Sequence, residues 1–115
     1  MLLDEQLQRL ATVERNWDSY GADAPNEAAL VSARDILKIL EFAAFPPTRI
    51  VPSAEGGAGI CFVEGENYAD IECLNTGEIL AAMYCGQAEP TVWEVGGGEQ
   101  SIRSTIEKIR VHITA

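Results

Sequence analysis

The chain has 115 residues, with 18 Asp and Glu against 8 Lys and Arg and a formal net charge of −10. That length suits a single domain with one ordinary core, taken here as residues 1–115. The charge argues against direct nucleic-acid binding, because phosphate affinity comes largely from Lys and Arg that release counterions. No run approaches the roughly 20 apolar residues of a membrane span, and Met1-Leu2-Leu3-Asp4-Glu5 lacks the basic region and apolar core of a signal peptide. A cytoplasmic protein that does not enter membranes is therefore expected.

In chain order, Leu3, Leu7, Leu10 and Trp17 fall on one helical face, which predicts a first helix over about residues 3–15. The segment Asn16-Trp17-Asp18-Ser19-Tyr20-Gly21-Ala22-Asp23-Ala24-Pro25 reads as a loop carrying two large aromatics. Trp17 extends the apolar face of the first helix and is expected to lock it to the second. Asp18, Tyr20 and Asp23 form the exposed remainder. Pro25-Asn26-Glu27 starts a second helix through Ala29, Ala33, Ile36, Leu37 and Leu40, which ends before Phe45-Pro46-Pro47.

Beyond the double proline the period changes to that of strands. Arg49-Ile50-Val51 is a short strand confined by Pro52 to an edge or an end, and Ser53 to Gly57 is a turn. Ile60 to Val63, Tyr68 to Leu74, Ile79 to Cys85 and Thr91 to Val95 are further strands. Gly65-Glu66 and Asn75-Thr76-Gly77 serve as hairpin turns. Ile102, Ile106, Ile109 and Ile113 mark a closing helix. The expected fold is therefore a two-layer α+β domain: an antiparallel meander of four or five strands, two N-terminal helices and one C-terminal helix.

Pairing Glu64 with Asn67 and Leu74 with Glu78 assigns Ile60, Phe62, Ala69, Ile71, Cys73, Ile79, Ala81, Met83 and Cys85 to the core face. The opposite face receives Cys61, Val63, Tyr68, Asp70, Glu72, Leu80, Ala82 and Tyr84. A freely solvated face should be more polar than this. One reading covers it with a chain end or leaves scattered apolar residues exposed. The other makes it a surface for a partner or a homodimer, with Tyr68, Leu80 and Tyr84 as anchors and Asp70 and Glu72 at the rim.

Little in the chain points to catalysis. Asp70 and Glu72 share a strand face, and Glu55, Glu64 and Glu66 lie in nearby turns, but such adjacency is expected in an acidic chain. Cys61, Cys73 and Cys85 lack the close ligand pairs of a metal site, and His112 is distant in sequence; they read as reduced small hydrophobes. The glycine runs at 56–59 and 96–98 match no phosphate-binding pattern. Asp18 and Asp23 lack the spacing of a calcium loop. No metal and no cofactor are expected.

Asn16-Trp17-Asp18-Ser19-Tyr20-Gly21-Ala22, followed by Ile50-Val51-Pro52-Ser53 and Glu55-Gly56-Gly57, resembles small bacterial proteins that share an NWDxYGA segment and a P-S/T-x-x-G-G turn. The resemblance covers roughly the first half of the chain. It implies a bacterial or phage origin and a small stand-alone domain, and it supplies no activity or catalytic residue.

Two functions compete. The first is a non-enzymatic acidic interaction module that binds a basic protein, as an antitoxin, immunity protein or inhibitor of a nucleic-acid-acting effector would. The second is a small ligand-binding or enzymatic domain with a pocket between the Trp17–Asp23 loop and the Glu55–Gly57 turn. Its lining would be Trp17, Asp18, Tyr20, Asp23 and Glu55.

Overall fold

The computed structural model of the chain describes residues 2–14 and 21–115, with side chains from residue 5 onward. The elements run α1 (Leu2–Leu10), α2 (Glu27–Phe42), β1 (Arg49–Ser53), β2 (Gly57–Glu64), β3 (Asn67–Leu74), β4 (Ile79–Cys85), β5 (Thr91–Val95) and α3 (Glu99–Ile113). The five strands form one antiparallel sheet in the order β1-β2-β3-β4-β5, so the chain is an α+β meander with its helices on one layer. Short connections leave no other arrangement, since parallel neighbours need a crossover.

α1 is shorter than the apolar spacing predicts. After Leu10 the backbone tightens: Thr12 and Val13 donate to the carbonyls of Arg9 and Leu10, three residues back, and Thr12 Oγ1 also bonds the Arg9 carbonyl at 2.8 Å. Two consecutive β-branched residues and a hydroxyl that competes for the backbone end the helix there. Val13 still packs against the core. Trp17, expected to continue this face, lies outside the described residues.

α2 starts where Asn26 caps it, the side-chain Oδ1 accepting from Ala29 N–H at 3.0 Å. It ends with Ala44 in the left-handed region (φ 55°) and Phe45 N–H donating to the Leu40 carbonyl at 3.0 Å. The last turn of α2 holds no basic residue of its own. Arg110 of α3 supplies one, donating to the Ala43 carbonyl at 2.6 Å while its guanidinium lies 5.0 Å from the centre of the Phe45 ring. Phe45 in turn stacks on Phe62 of β2. The C-terminal helix is thereby tied to both the second helix and the sheet.

The hairpin registers match the expected pairing: Phe62 opposes Ala69, Ile71 opposes Ala81, and Cys73 opposes Ile79. The core gathers Leu7 and Leu10 from α1, Ala33, Ile36 and Leu40 from α2, and Ile102, Ile106, Ile109 and Ile113 from α3 over the inward sheet residues. Two residues assigned to that core lie at or beyond its margin, Met83 still packed against it. Met83 is only half-buried and Cys85 is exposed. Their strand positions lie at or beyond the start of β5, which pairs with β4 no further than Thr91 opposite Met83, so the sheet margin outruns its cover.

One glycine is obligatory for the meander. Gly57 opens β2 at φ 148°, and a Cβ there would come within 2.1 Å of the Cys73 carbonyl oxygen on β3. Gly56 precedes it at φ 90°, packed beside Asn75. The turn between β1 and β2 therefore nests under the turn between β3 and β4.

Candidate functional site on the open sheet face

Because the helices among the described residues all pack on one side, alternation along the strands directs the other residues to a face that none of those helices covers. Register places them in rows across the sheet. Arg49, Cys61, Asp70, Ala82 and Val92 form one row, and Val51, Gly59, Glu72, Leu80 and Glu94 form the next. On the other side of the Asp70 row, Val63 opposes Tyr68, and Tyr68 opposes Tyr84. The five sequence-predicted residues, Tyr68, Asp70, Glu72, Leu80 and Tyr84, thus share this face, each half-buried.

Within it, the structure brings Tyr68, Tyr84 and Asp70 together. The two tyrosine rings stack with centroids 4.8 Å apart and planes 28° from parallel. The Tyr68 hydroxyl donates to Asp70 Oδ2 at 2.9 Å and sits 3.6 Å from Cys61 Sγ. Cys61, assigned to the open face, is nevertheless only 4% exposed, since its strand neighbours Tyr68, Asp70 and Arg49 close over it. Leu80 is two rows from Tyr84, with Ala82 between them, so it belongs to a second part of the face beside Glu72.

Electrostatics follows from burial. Desolvation raises the Asp70 carboxyl above the usual carboxylate range; Glu72 adds to the rise and the Tyr68 hydrogen bond opposes it. Burial likewise raises the Tyr68 hydroxyl, which stays protonated and remains a donor. The Cys61 thiol is pushed up chiefly by burial, and Cys73, in the core, is pushed up to about 12. Neither is a nucleophile at neutral pH.

Ser53, which sequence reasoning passed over, links this face to the neighbouring turn. It is 4% exposed, donates to Glu72 Oε1 at 2.9 Å and accepts from Glu55 N–H at 3.2 Å. Arg49, Val51, Val92 and Glu94 were also missed, although extending the hairpin registers to the outer strands would have found them. Of the alternative pocket, Trp17, Asp18 and Tyr20 lie outside the described residues. Asp23 and Glu55 are exposed, and Asp23 stands beside Gly56, so the chain segment and the turn do meet.

His112, in the last turn of α3, is tied to the end of β4. Its Nε2 lies 2.9 Å from the Tyr84 carbonyl, an acceptor, so that nitrogen carries the proton and is committed to the backbone. No group of three or more His, Cys, Asp or Glu among the described residues could hold a metal ion. No helix among them is long and apolar enough to cross a membrane. Compared with known proteins, the chain matches no family model, no curated protein and no solved structure.

Proposed function

We propose that the protein is a non-enzymatic interaction module that binds a basic protein through the open face of its sheet, as an antitoxin, immunity protein or inhibitor of a nucleic-acid-acting effector would. The observation that carries this reading is the Tyr68–Tyr84 stack joined to a half-buried Asp70 on a face that none of the described helices covers. Stacked tyrosines give a rigid apolar anchor at low entropic cost, and Leu80 and Ala82 extend it. Asp70, Glu72 and Glu94 supply negative charge around that anchor, and the net charge of −10 would speed the approach of a basic partner.

The test is affinity capture from the source cell with mass spectrometry, using the wild-type chain, Tyr84→Asp and Leu80→Asp, each checked for folding by circular dichroism. A stoichiometric basic protein held by the wild type and lost with both variants is expected. Retention of that partner by both variants would count against the face. A dimer that strengthens with concentration and dissociates on Tyr84→Asp would assign the face to a second copy of the chain instead.

The pocket reading is favoured by one observation, the approach of Asp23 to the Gly56 turn. A small molecule whose binding falls with Glu55→Gln and is unchanged by Tyr84→Asp would move the function there.

A further inference from the structure

The two edges of the sheet are finished differently. Along β1, Gln6 of α1 reaches over to accept from Ile50 N–H at 2.9 Å, and Pro52 offers no donor. β5 closes the other side of the sheet, and among the described residues no backbone bond beyond the ladder reaches Thr91–Val95. An edge left this way presents backbone donors and acceptors to any extended chain that approaches.

Beside that edge, on the helix-bearing side of the sheet, lies an open groove of about 780 Å³. Met83, Thr91 and Trp93 form its sheet wall, and Lys108, Val111 and His112 of α3 form the other. Trp93 is held in place, its indole N–H donating to Thr105 Oγ1 at 3.1 Å and the Lys108 ammonium lying 5.2 Å from the ring centre. Val111 is 62% exposed, an apolar side chain on a helix that otherwise buries its isoleucines.

We propose that the β5 edge and this groove take up an extended basic segment of another protein by strand addition, one of its apolar side chains seated between Trp93 and Val111. The edge would supply backbone hydrogen bonds and the groove side-chain selectivity, as strand addition requires. Charge decides the occupant. Glu89 precedes the strand and Glu94 lies on it, while Glu99 and Arg103 offset one another in an ion pair at 3.1 Å and Lys108 lies over Trp93. A second copy would bring another net charge of −10 to this edge. A five-residue strand is also only about 17 Å long, a short seam on which to build the roughly 800 Å² per partner of a stable dimer. A peptide segment fits both limits.

The experiment titrates the full ¹⁵N-labelled chain with three heptapeptides. One alternates lysine with valine, phenylalanine and valine; the second has glutamate in place of lysine; the third is the basic peptide with proline at both valine positions. The amides of residues 91–95 and the Trp93 indole should shift saturably with the first peptide and not with the other two. Val111→Arg, which fills and charges the groove from an exposed helix position, should weaken binding about tenfold. Equal shifts with the proline peptide would overturn the proposal in favour of plain charge attraction. Absence of any shift at millimolar peptide, or shifts confined to the Tyr68–Tyr84 face, would overturn it as well. β5 shifts that depend on protein concentration alone would assign the edge to a second copy.

Discussion

At Asp70, stability and the proposed recognition of a basic partner pull in opposite directions. Its carboxyl is raised because burial disfavours the charge, so the native chain holds that proton more tightly than the unfolded chain does. Above the native pKa the ionised group subtracts from stability by a constant amount. As the pH falls through the native value towards the ordinary carboxylate range the penalty shrinks, and below both values it is gone. Asp70→Asn keeps an acceptor for the Tyr68 hydroxyl and removes the charge. It should therefore raise the unfolding free energy at pH 7 over wild type, with the difference closing by about pH 3, as read by urea melts across that range. The same substitution should weaken binding of a basic partner. If the variant is no more stable than wild type at pH 7, the burial argument fails. The cysteines make a second check at this scale. Cys85 is exposed while Cys61 and Cys73 are buried with raised thiols, so the native chain should show one rapidly reacting thiol and the denatured chain all three.

Among the elements, the join between the α2 entry and the sheet turns was invisible in the sequence. Asn75 accepts from Asn26 N–H at 2.8 Å and donates to the Ala24 carbonyl at 2.9 Å, while Asn26 Nδ2 donates back to the Asn75 carbonyl at 3.0 Å. Asn75 N–H also bonds the Gly56 carbonyl, so three connections are fastened at one residue. Asn75→Ala removes two side-chain bonds and should cost about 1–3 kcal/mol in denaturant melts, with faster hydrogen exchange at Asn26. Unchanged stability would mean that the turns hold without it. The strands and their registers were legible because apolar alternation in Ile60 to Phe62, Ala69 to Cys73 and Ile79 to Ala81 agrees with glycine at Gly65 and Gly77, so pattern and turn chemistry fix the same pairing. The clasp was not legible, because Asn26 and Asn75 each look locally complete, one as a helix cap and the other as a turn residue. Only the fold sets them side by side. The same holds for the groove: Trp93 and Val111 carry no shared period and meet only when α3 lies over β5.

Over the whole molecule, the residues that share the second face were foreseen because alternation and hairpin register assign them, whereas the side on which the helices pack and the contrast between the two edges depend on the fold. The charge distribution has its own consequence. The chain carries 18 carboxylates against 8 Lys and Arg, and the ion pairs between described residues, Glu99 with Arg103 and Glu107 with Arg110, are both within α3, the first exposed and the second long, at 3.9 Å, and half-buried at Arg110. Such pairs contribute little, about 0–1 kcal/mol each, while a net charge of −10 repels itself across a small molecule. Added salt screens both effects, and repulsion spread over the whole surface should outweigh two local pairs. The melting temperature at pH 7 should therefore rise between low ionic strength and about 0.3 M sodium chloride, where the Debye length is down to roughly 6 Å. A fall over that range would show that attractive pairing dominates, and would remove the electrostatic reason for expecting a basic partner at either surface.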